Sequence, residues 1–289
     1  MFKALRSISY MTRKNDSPQQ YYDHLEMDIV PALKGKNNAR WMNVGYWKDA
    51  RNYNDACRDM AEIVSRTAEF KPGDVALDVG CGCGEQDFYW ASVNNGIQVT
   101  AIDISPKHIE TANRRKDETG EKRLRFTVGD ASDMPFEDES FSKVCALDCA
   151  YHFDTREEFF KEAFRLLKSG GVLVVTDMLP KSRKSIDWLW QKTGRKSLFI
   201  PESNMYGIEE YEKLLVKIGF SVVESRHIGD YVFTGLAKYF LKRYLHPFTP
   251  IYDVTIKAGE KSFTRKLYPE IWGFCFGTPD YVIVKAVKR

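Results

Sequence analysis

The stretch that most constrains the fold runs from an apolar segment through a glycine-rich turn into a helix start. Residues 75–79 read Val-Ala-Leu-Asp-Val, and Gly80, Gly82 and Gly84 follow at alternate positions. Glu85 then opens a segment of helical character. A buried strand, a tight turn and a helix N-terminus in this order are typical of α/β proteins that hold a nucleotide-like ligand. Glycines in such a turn permit positive φ and close approach of a ligand to the backbone.

The alternation of strand and helix patterns continues after this stretch. Apolar, β-branched runs predict further strands at 96–103, 124–128, 141–148 and 172–177. Helices start between them. Ser105 and Pro106 suit the N-cap and first helical positions, and Asp154 with Glu157 has the spacing of a capping box. Strands that alternate with helices predict an α/β fold with a doubly wound parallel sheet and right-handed crossovers.

The pattern changes at both ends of the chain. We expect one domain of 289 residues with a cofactor-binding core at 70–180. Helices are predicted at 53–70 and 208–218, and strands at 220–225 and 281–287. The remaining segments are interpreted as an N-terminal helical lid at 1–54 and substrate-side insertions at 180–206 and 230–279.

Composition limits the class of protein and its partners. The chain is 43% hydrophobic and 29% charged, as in a globular domain, and its net charge of +3 is too small to argue for nucleic acid. The six cysteines match neither a disulfide framework nor a zinc site, so reduced thiols, no metal and an intracellular, cytoplasmic location are expected. The basic residues 1–14 are read as an ordinary segment, an organellar presequence or a membrane-surface helix. The oligomeric state is left open.

The glycine loop can serve two kinds of nucleotide. In the dinucleotide pattern G-x-G-x-x-G the third glycine falls where this chain has Glu85, and a carboxylate at a helix N-terminus opposes a pyrophosphate. Asp78 adds negative charge before the loop. Asp103 ends the second strand, where it can accept from a ribose diol, and Asp130 follows the third, where it can accept from an adenine amine. Together these four acids predict that the ligand is a phosphate-free, cationic nucleoside such as S-adenosylmethionine.

Five motifs in order carry a family resemblance: 75–84, 101–105, 129–136, 141–144 and 166–171. This series resembles the class I S-adenosylmethionine-dependent methyltransferases. The resemblance implies a Rossmann-like, seven-stranded, mostly parallel sheet whose antiparallel last strand forms a hairpin. The large insertion at 230–279, before that strand, departs from the minimal fold of the family.

A narrower resemblance is to family members that act on sterols, tocopherol-type quinols, macrolides and phosphoethanolamine. It rests on the segments 43–47 and 148–153. It implies that Tyr46 and Trp47 close over the methionine end of the cofactor and that residues 147–152 face the methyl acceptor. The cofactor-binding residues expected on this basis are Tyr46, Trp47, Asp78, Gly80, Cys81, Gly82, Gly84, Gln86, Asp103, Ile104, Gly129, Asp130, Ala131 and Leu147.

Two residues are catalytic candidates. His152 follows the fourth strand at its C-terminal end, where ligands of open α/β sheets lie, and its ordinary pKa suits proton removal. The alternative to a catalytic role is that His152 only forms a hydrogen bond at the start of the next helix. Tyr22 is the second candidate, although its helical spacing fits plain packing equally well. Tyr46 and Trp47 also fit a role in the core.

The predicted function is methyl transfer to a small, hydrophobic acceptor, an isoprenoid, quinol, polyketide or lipid, by in-line displacement. The aromatic residues of 230–279 would form the wall of the acceptor pocket, and a basic helix at 233–244 suggests peripheral membrane contact. One alternative is N-methylation of a small amine or phospholipid head-group precursor. Another is a non-catalytic protein that binds S-adenosylmethionine.

Overall fold

The computed structural model describes residues 39–181, 199–244 and 279–289. Its helices are α1 (Tyr53–Ala68), α2 (Glu85–Val93), α3 (Pro106–Thr119), α4 (Arg156–Leu166), α5 (Ile208–Ile218) and α6 (Gly229–Tyr244). Its strands are β1 (Val75–Val79), β2 (Gln98–Asp103), β3 (Leu124–Val128), β4 (Phe141–Leu147), β5 (Leu167–Pro180), β6 (Phe220–His227) and β7 (Pro279–Lys288).

The seven strands form one sheet in the order β3-β2-β1-β4-β5-β7-β6. Neighbouring strands from β3 to β5 pair in parallel, whereas β7 runs antiparallel to both β5 and β6. The predicted doubly wound sheet with an antiparallel last strand is confirmed. Strand order reverses between β1 and β4, and the crevice at such a switch point is where ligands of open α/β sheets bind.

Helix α1 packs beside the helix that follows the glycine loop. Asn52 caps α1 by accepting a hydrogen bond from the backbone N–H of Asp55, and the fully buried Met60 and Val64 face the core. The indole of Trp90 on α2 is also fully buried and donates to the carbonyl of Ala61 at 2.7 Å. This contact joins α1 to the helix that begins at the glycine loop.

One helix and one strand begin at residues other than those predicted from the sequence. Ser105 and Pro106 begin α3 as predicted, but the N-cap of α4 is Thr155, not Asp154. The Thr155 hydroxyl accepts from the backbone N–H of Glu158 at 3.3 Å, which takes the capping role from the preceding residue. Strand β5 already begins at Leu167, because that residue pairs with Phe141 before the register shifts.

Several predictions fall outside the described residues. These are Tyr22, the first part of the N-terminal lid, and the segments 182–198 and 245–278 of the two insertions. Helix α6 lies in the described part of the second insertion, where a helical pattern was expected. Within the described ranges, every helix is too short or too polar to cross a membrane.

Candidate functional site

A cavity of about 230 Å³ lies at the C-terminal ends of β1, β2 and β4. The fold brings most of the predicted cofactor residues to it from four separate loops. Those that line the cavity are Gly80, Cys81, Gly82, Gln86, Asp103, Ile104, Gly129, Asp130, Ala131 and Leu147. His152 lines it too, so the candidate base and the predicted cofactor residues share one space.

The glycines of the loop are required by the protein itself. Gly80, Gly82 and Gly84 have φ of 79°, 55° and 77°, a region that favours glycine. A Cβ on Gly80 would lie 2.7 Å from the sulfur of Cys149, and one on Gly84 would lie 2.7 Å from the ring of Phe126. Gly84 does not line the cavity, so its role is packing rather than the expected ligand contact.

The carboxylate of Asp103 ties the end of β2 to the glycine loop. One oxygen, Oδ2, accepts from the backbone N–H of Gly82 at 2.8 Å, and Oδ1 accepts from that of Ser105 at 2.9 Å. Nδ1 of His108 lies 3.1 Å from the same Oδ1. His108 is almost fully buried and lines the cavity. It is a site residue missed from the sequence; its place in the first turn of α3, just after Asp103, was the available signal.

Asp130 combines a turn contact with a place at the cavity. Its Oδ1 accepts from the backbone N–H and the hydroxyl of Ser132, at 2.8 and 2.7 Å. This is the local turn that an aspartate commonly forms after a strand. The side chain is otherwise exposed at the cavity wall.

Asp78 lies behind the cavity wall and does not line it, contrary to the expected cofactor contact. It is fully buried, and its Oδ2 accepts from Nε2 of Gln86 at 2.9 Å. The same Gln86 nitrogen donates to the carbonyl of Cys81 at 3.0 Å. Burial raises the pKa of Asp78 to about 7 and the pKa of its buried partner Asp87 well above its ordinary value. The Asp78 carboxyl group thus holds Gln86, which does reach the cavity.

Glu85 does not face the ligand space either. Its Oε1 accepts from the backbone N–H of Arg40 at 2.8 Å and pairs with the guanidinium of Arg115 at 2.6 Å. Glu85 was expected to repel a pyrophosphate, but its carboxylate is instead engaged by Arg40 and Arg115. The acidic side chains on the described cavity wall are Asp103, Asp130, Asp148 and Asp154, with no lysine or arginine among them.

Tyr46 and Trp47 are not brought to the cavity. The indole of Trp47 donates to the carbonyl of Val44 at 2.9 Å, and its ring packs 4.9 Å from that of Tyr239. Tyr46 packs 5.5 Å from the ring of Tyr231, above a separate polar depression. Trp47 thus takes the core role that was the structural alternative. The upstream loop reaches the cavity through Met42 and Asn43 instead, which the sequence reasoning missed.

The other end of the cavity is formed by the segment after β4. A single 3-10 turn, Ala150–His152, places the imidazole of His152 at the wall and 4.1 Å, centroid to centroid, from the ring of Tyr151. Cys149 and Phe153 line the same end.

Asp148 is a further residue of the cavity wall, within the segment 147–152 that was expected to face the methyl acceptor. It lines the cavity with φ of 59°, an unusual conformation for a residue other than glycine. Its Oδ2 accepts from the backbone N–H of Val44 at 2.7 Å and its Oδ1 from the hydroxyl of Tyr281 at 2.6 Å. Burial raises its pKa to about 7.

Comparisons with known proteins bear on this arrangement. Residues 77–175 match the family model described as a methyltransferase domain. The chain is 33% identical over 239 residues to the erythromycin 3''-O-methyltransferase of Saccharopolyspora erythraea, an alignment that covers 80% of this chain and 75% of that protein. The chain belongs to the class I S-adenosylmethionine-dependent methyltransferases. This membership makes it an enzyme and sets aside the non-catalytic alternative.

Solved structures share the fold of this methyltransferase. The crystal structure of the [4+2]-cyclase SpnF matches with a TM-score of 0.68 at 20% identity, covering 94% of this chain and 96% of that one. The Haemonchus contortus phosphoethanolamine N-methyltransferase 2 in complex with S-adenosyl-L-methionine matches with a TM-score of 0.62 at 21% identity. That match covers 81% of this chain and 53% of the other. At these identities the likeness concerns the fold.

The residues present suit the cofactor of the family. S-adenosylmethionine is a nucleoside without phosphate whose sulfonium and ammonium groups are positive. In this methyltransferase the described charged groups at the cavity are all acids, and an aspartate stands at the end of β2 beside the glycine loop. A cavity of this charge favours a cationic ligand and opposes a phosphate.

Proposed function

We propose that this methyltransferase transfers the methyl group to a hydroxyl of a small, largely apolar acceptor, with His152 as the base. The observation that carries the proposal is that His152 and Asp103 line one cavity, at the ends of β4 and β2. The similarity to a macrolide O-methyltransferase over most of both chains supports hydroxyl as the acceptor group.

At the cofactor end of the cavity, residues at different strand ends would contact different parts of the cofactor. Asp103 would accept from the ribose hydroxyls, Asp130 from the adenine amine, and the loop of Gly80 and Gly82 would lie along the methionine part. When bound, S-adenosylmethionine supplies a methyl group already activated on sulfur. The protein's main task is then to hold the acceptor in line with that group.

The acceptor end offers two ionisable side chains, and their contacts separate their roles. Asp148 is held by the backbone of Val44 and the hydroxyl of Tyr281, so both of its oxygens are engaged in building the wall. His152 stands on a turn at the cavity wall, and an imidazole is the side chain that most often serves as a general base. His152 would therefore take the hydroxyl proton as the new carbon–oxygen bond forms.

The walls around His152 favour an apolar acceptor. Met42, Leu147 and Phe153 line the cavity together with the thiol of Cys149, whose sulfur donates to the carbonyl of Val79 at 3.0 Å. Pockets lined by apolar side chains with a few polar groups bind ligands of the same character.

A second candidate function is N-methylation of a small amine. The observation in its favour is the set of four carboxylates on the cavity wall, since an ammonium acceptor would be held by such charges. Asp154 belongs to this set and follows His152 by two positions on the segment after β4.

An acceptor panel separates the two candidates. The protein is incubated with methyl-labelled S-adenosylmethionine and either hydroxylated macrolides and quinols or phosphoethanolamine and sarcosine. We expect label in products that extract into organic solvent, with mass spectrometry locating the methyl group on oxygen. Label confined to the amines would replace the proposal by the second candidate. Calorimetric titration with S-adenosylmethionine alone serves as the check that the protein is folded and competent.

The base is tested with His152→Gln. Removing the imidazole leaves the acceptor hydroxyl without a proton acceptor, so we expect single-turnover rates to fall roughly 100-fold or more while affinity for S-adenosylmethionine stays within about twofold. His227→Gln is the matched control, because His227 is exposed, lies outside the cavity and pairs with the carboxylate of Asp280. An unchanged rate in His152→Gln would remove His152 as the base.

A further inference from the structure

The turn that carries His152 is held by a residue from a distant part of the chain. Nδ2 of Asn204 donates to the carbonyl of Tyr151 at 3.3 Å and to the carbonyl of Phe153 at 2.7 Å. These two carbonyls belong to the residues on either side of His152. Asn204 is almost fully buried and lies 51 positions after Phe153 in the sequence.

The orientation of the Asn204 amide is set by its other contacts. Its Oδ1 accepts from the backbone N–H of Arg156 at 3.0 Å, so the amide nitrogen must face the turn. The guanidinium of Arg156 donates to the Asn204 carbonyl, forms a buried ion pair with Asp177 at 2.8 Å and donates to the carbonyl of Met178 at 2.8 Å. Asn204 is thus fixed to β5 through one fully buried arginine.

We propose that Asn204 is a positioning residue for His152. By holding the carbonyls of Tyr151 and Phe153, the residues on either side of His152, it sets the direction in which the imidazole enters the cavity. This inference rests on the proposed role of His152 as the base. It assigns to the segment just before α5 a part in the reaction that no motif in the sequence indicates.

Two substitutions separate this role from general packing. Asn204→Asp keeps an oxygen that accepts from Arg156 but loses both donations to the turn. Asn204→Ala loses all side-chain contacts and adds no charge. Asn94→Asp is the matched control: Nδ2 of Asn94 also makes two donations, to Ser65 Oγ and to the carbonyl of Trp90, both at 3.1 Å and away from the cavity.

The first measurement needs no acceptor. The protein has five histidines, so the imidazole signal of His152 in a histidine-labelled sample is assigned by its loss in His152→Gln. We expect its chemical shift and titration midpoint to move in Asn204→Ala and to stay unchanged in Asn94→Asp. An unmoved His152 signal in Asn204→Ala would overturn the inference, whatever the change in stability.

The second measurement uses the acceptor found in the panel. We expect kcat to fall at least tenfold in both Asn204 variants, with the acidic limb of its pH profile displaced and affinity for S-adenosylmethionine within about twofold. Asn94→Asp should keep kcat within about twofold. If His152→Gln is slow and the Asn204 variants are not, the inference fails alone. If His152→Gln retains the full rate, the proposed base fails and the inference with it.

Discussion

The contact between His108 and Asp103 would serve the proposed recognition of the cofactor ribose by Asp103. An ionised carboxylate can only accept hydrogen bonds, so the Nδ1 atom 3.1 Å from Asp103 Oδ1 carries the imidazole proton. The backbone N–H groups of Gly82 and Ser105 donate to the same carboxylate. Three donors around one carboxylate fix its plane before the ribose arrives, which lowers the cost of ordering the site on binding.

We therefore expect His108→Leu to weaken binding of S-adenosylmethionine by about tenfold, or ~1.4 kcal/mol, with little change in kcat at saturation. Isothermal titration calorimetry measures the change directly. His108→Asn is the rescue variant, because its amide nitrogen can occupy the position of Nδ1, and it should bind within about threefold of wild type. Equal affinity of His108→Leu and wild type would show that the carboxylate needs no third donor.

At the scale of elements, α1 and α2 form a unit around the glycine loop. The buried indole of Trp90 is the part of α2 that reaches α1, and Phe70 packs edge-on against it at 5.6 Å. Because α2 begins directly after Gly84, its position also sets the position of the loop. The stability of this helix pair therefore supports the cofactor end of the cavity.

Trp90→Phe tests this contact. The substitution removes the hydrogen bond to the Ala61 carbonyl and part of a fully buried ring, so we expect the free energy of unfolding to fall by about 2–3 kcal/mol. Val93→Ala on the same helix is the control, since its side chain is 53% exposed and the expected change is below about 0.5 kcal/mol. Urea denaturation followed by tryptophan fluorescence and circular dichroism gives both values. A loss in Trp90→Phe no larger than in Val93→Ala would contradict the prediction.

At the scale of the molecule, buried acids make stability depend on pH. Burial raises the pKa of Asp78 and of Asp148 to about 7, well above the ordinary value of an aspartate. The folded state therefore binds more protons than the unfolded state between about pH 4 and pH 7. Their contribution to stability is fully present below this window and is lost as pH rises through it. Glu69 and Glu121, whose pKa values are lowered by Lys285 and Arg123, act in the opposite sense but lie near the surface and contribute little.

We expect the free energy of unfolding to fall by a few kcal/mol between about pH 4.5 and pH 7.5. Asp148→Asn should flatten this dependence, because the amide can still accept from Val44 and has no charge to bury. The exposed Asp130→Asn is the matched control and should leave the slope unchanged. Guanidinium denaturation at a series of pH values measures all three. A slope in Asp148→Asn equal to that of wild type would exclude Asp148 as a source of the effect.

Local patterns in the sequence were enough to predict the parallel sheet, the place of the glycine loop and the acids at the strand ends. These features depend on local patterns: strand periodicity, the alternation with helices, and a carboxylate just after a strand, as with Asp103 and Asp130. Parallel strands bring their C-terminal ends to one edge, so local positions were enough to predict that these residues converge. The positive φ of the loop glycines also followed from local chemistry.

Which side chains face the cavity, and which residues hold them, depends on contacts between distant parts of the chain. Asp148 bonds to Val44 and Tyr281, which lie 104 and 133 positions away, and Asn204 reaches the His152 turn from 51 positions beyond Phe153. Glu85 was expected to face the ligand, but it pairs with Arg115. Trp47 was expected at the cofactor, but it packs in the core. Such contacts join residues distant in the chain, and their partners are chosen by packing, desolvation and hydrogen-bond geometry that no local pattern encodes.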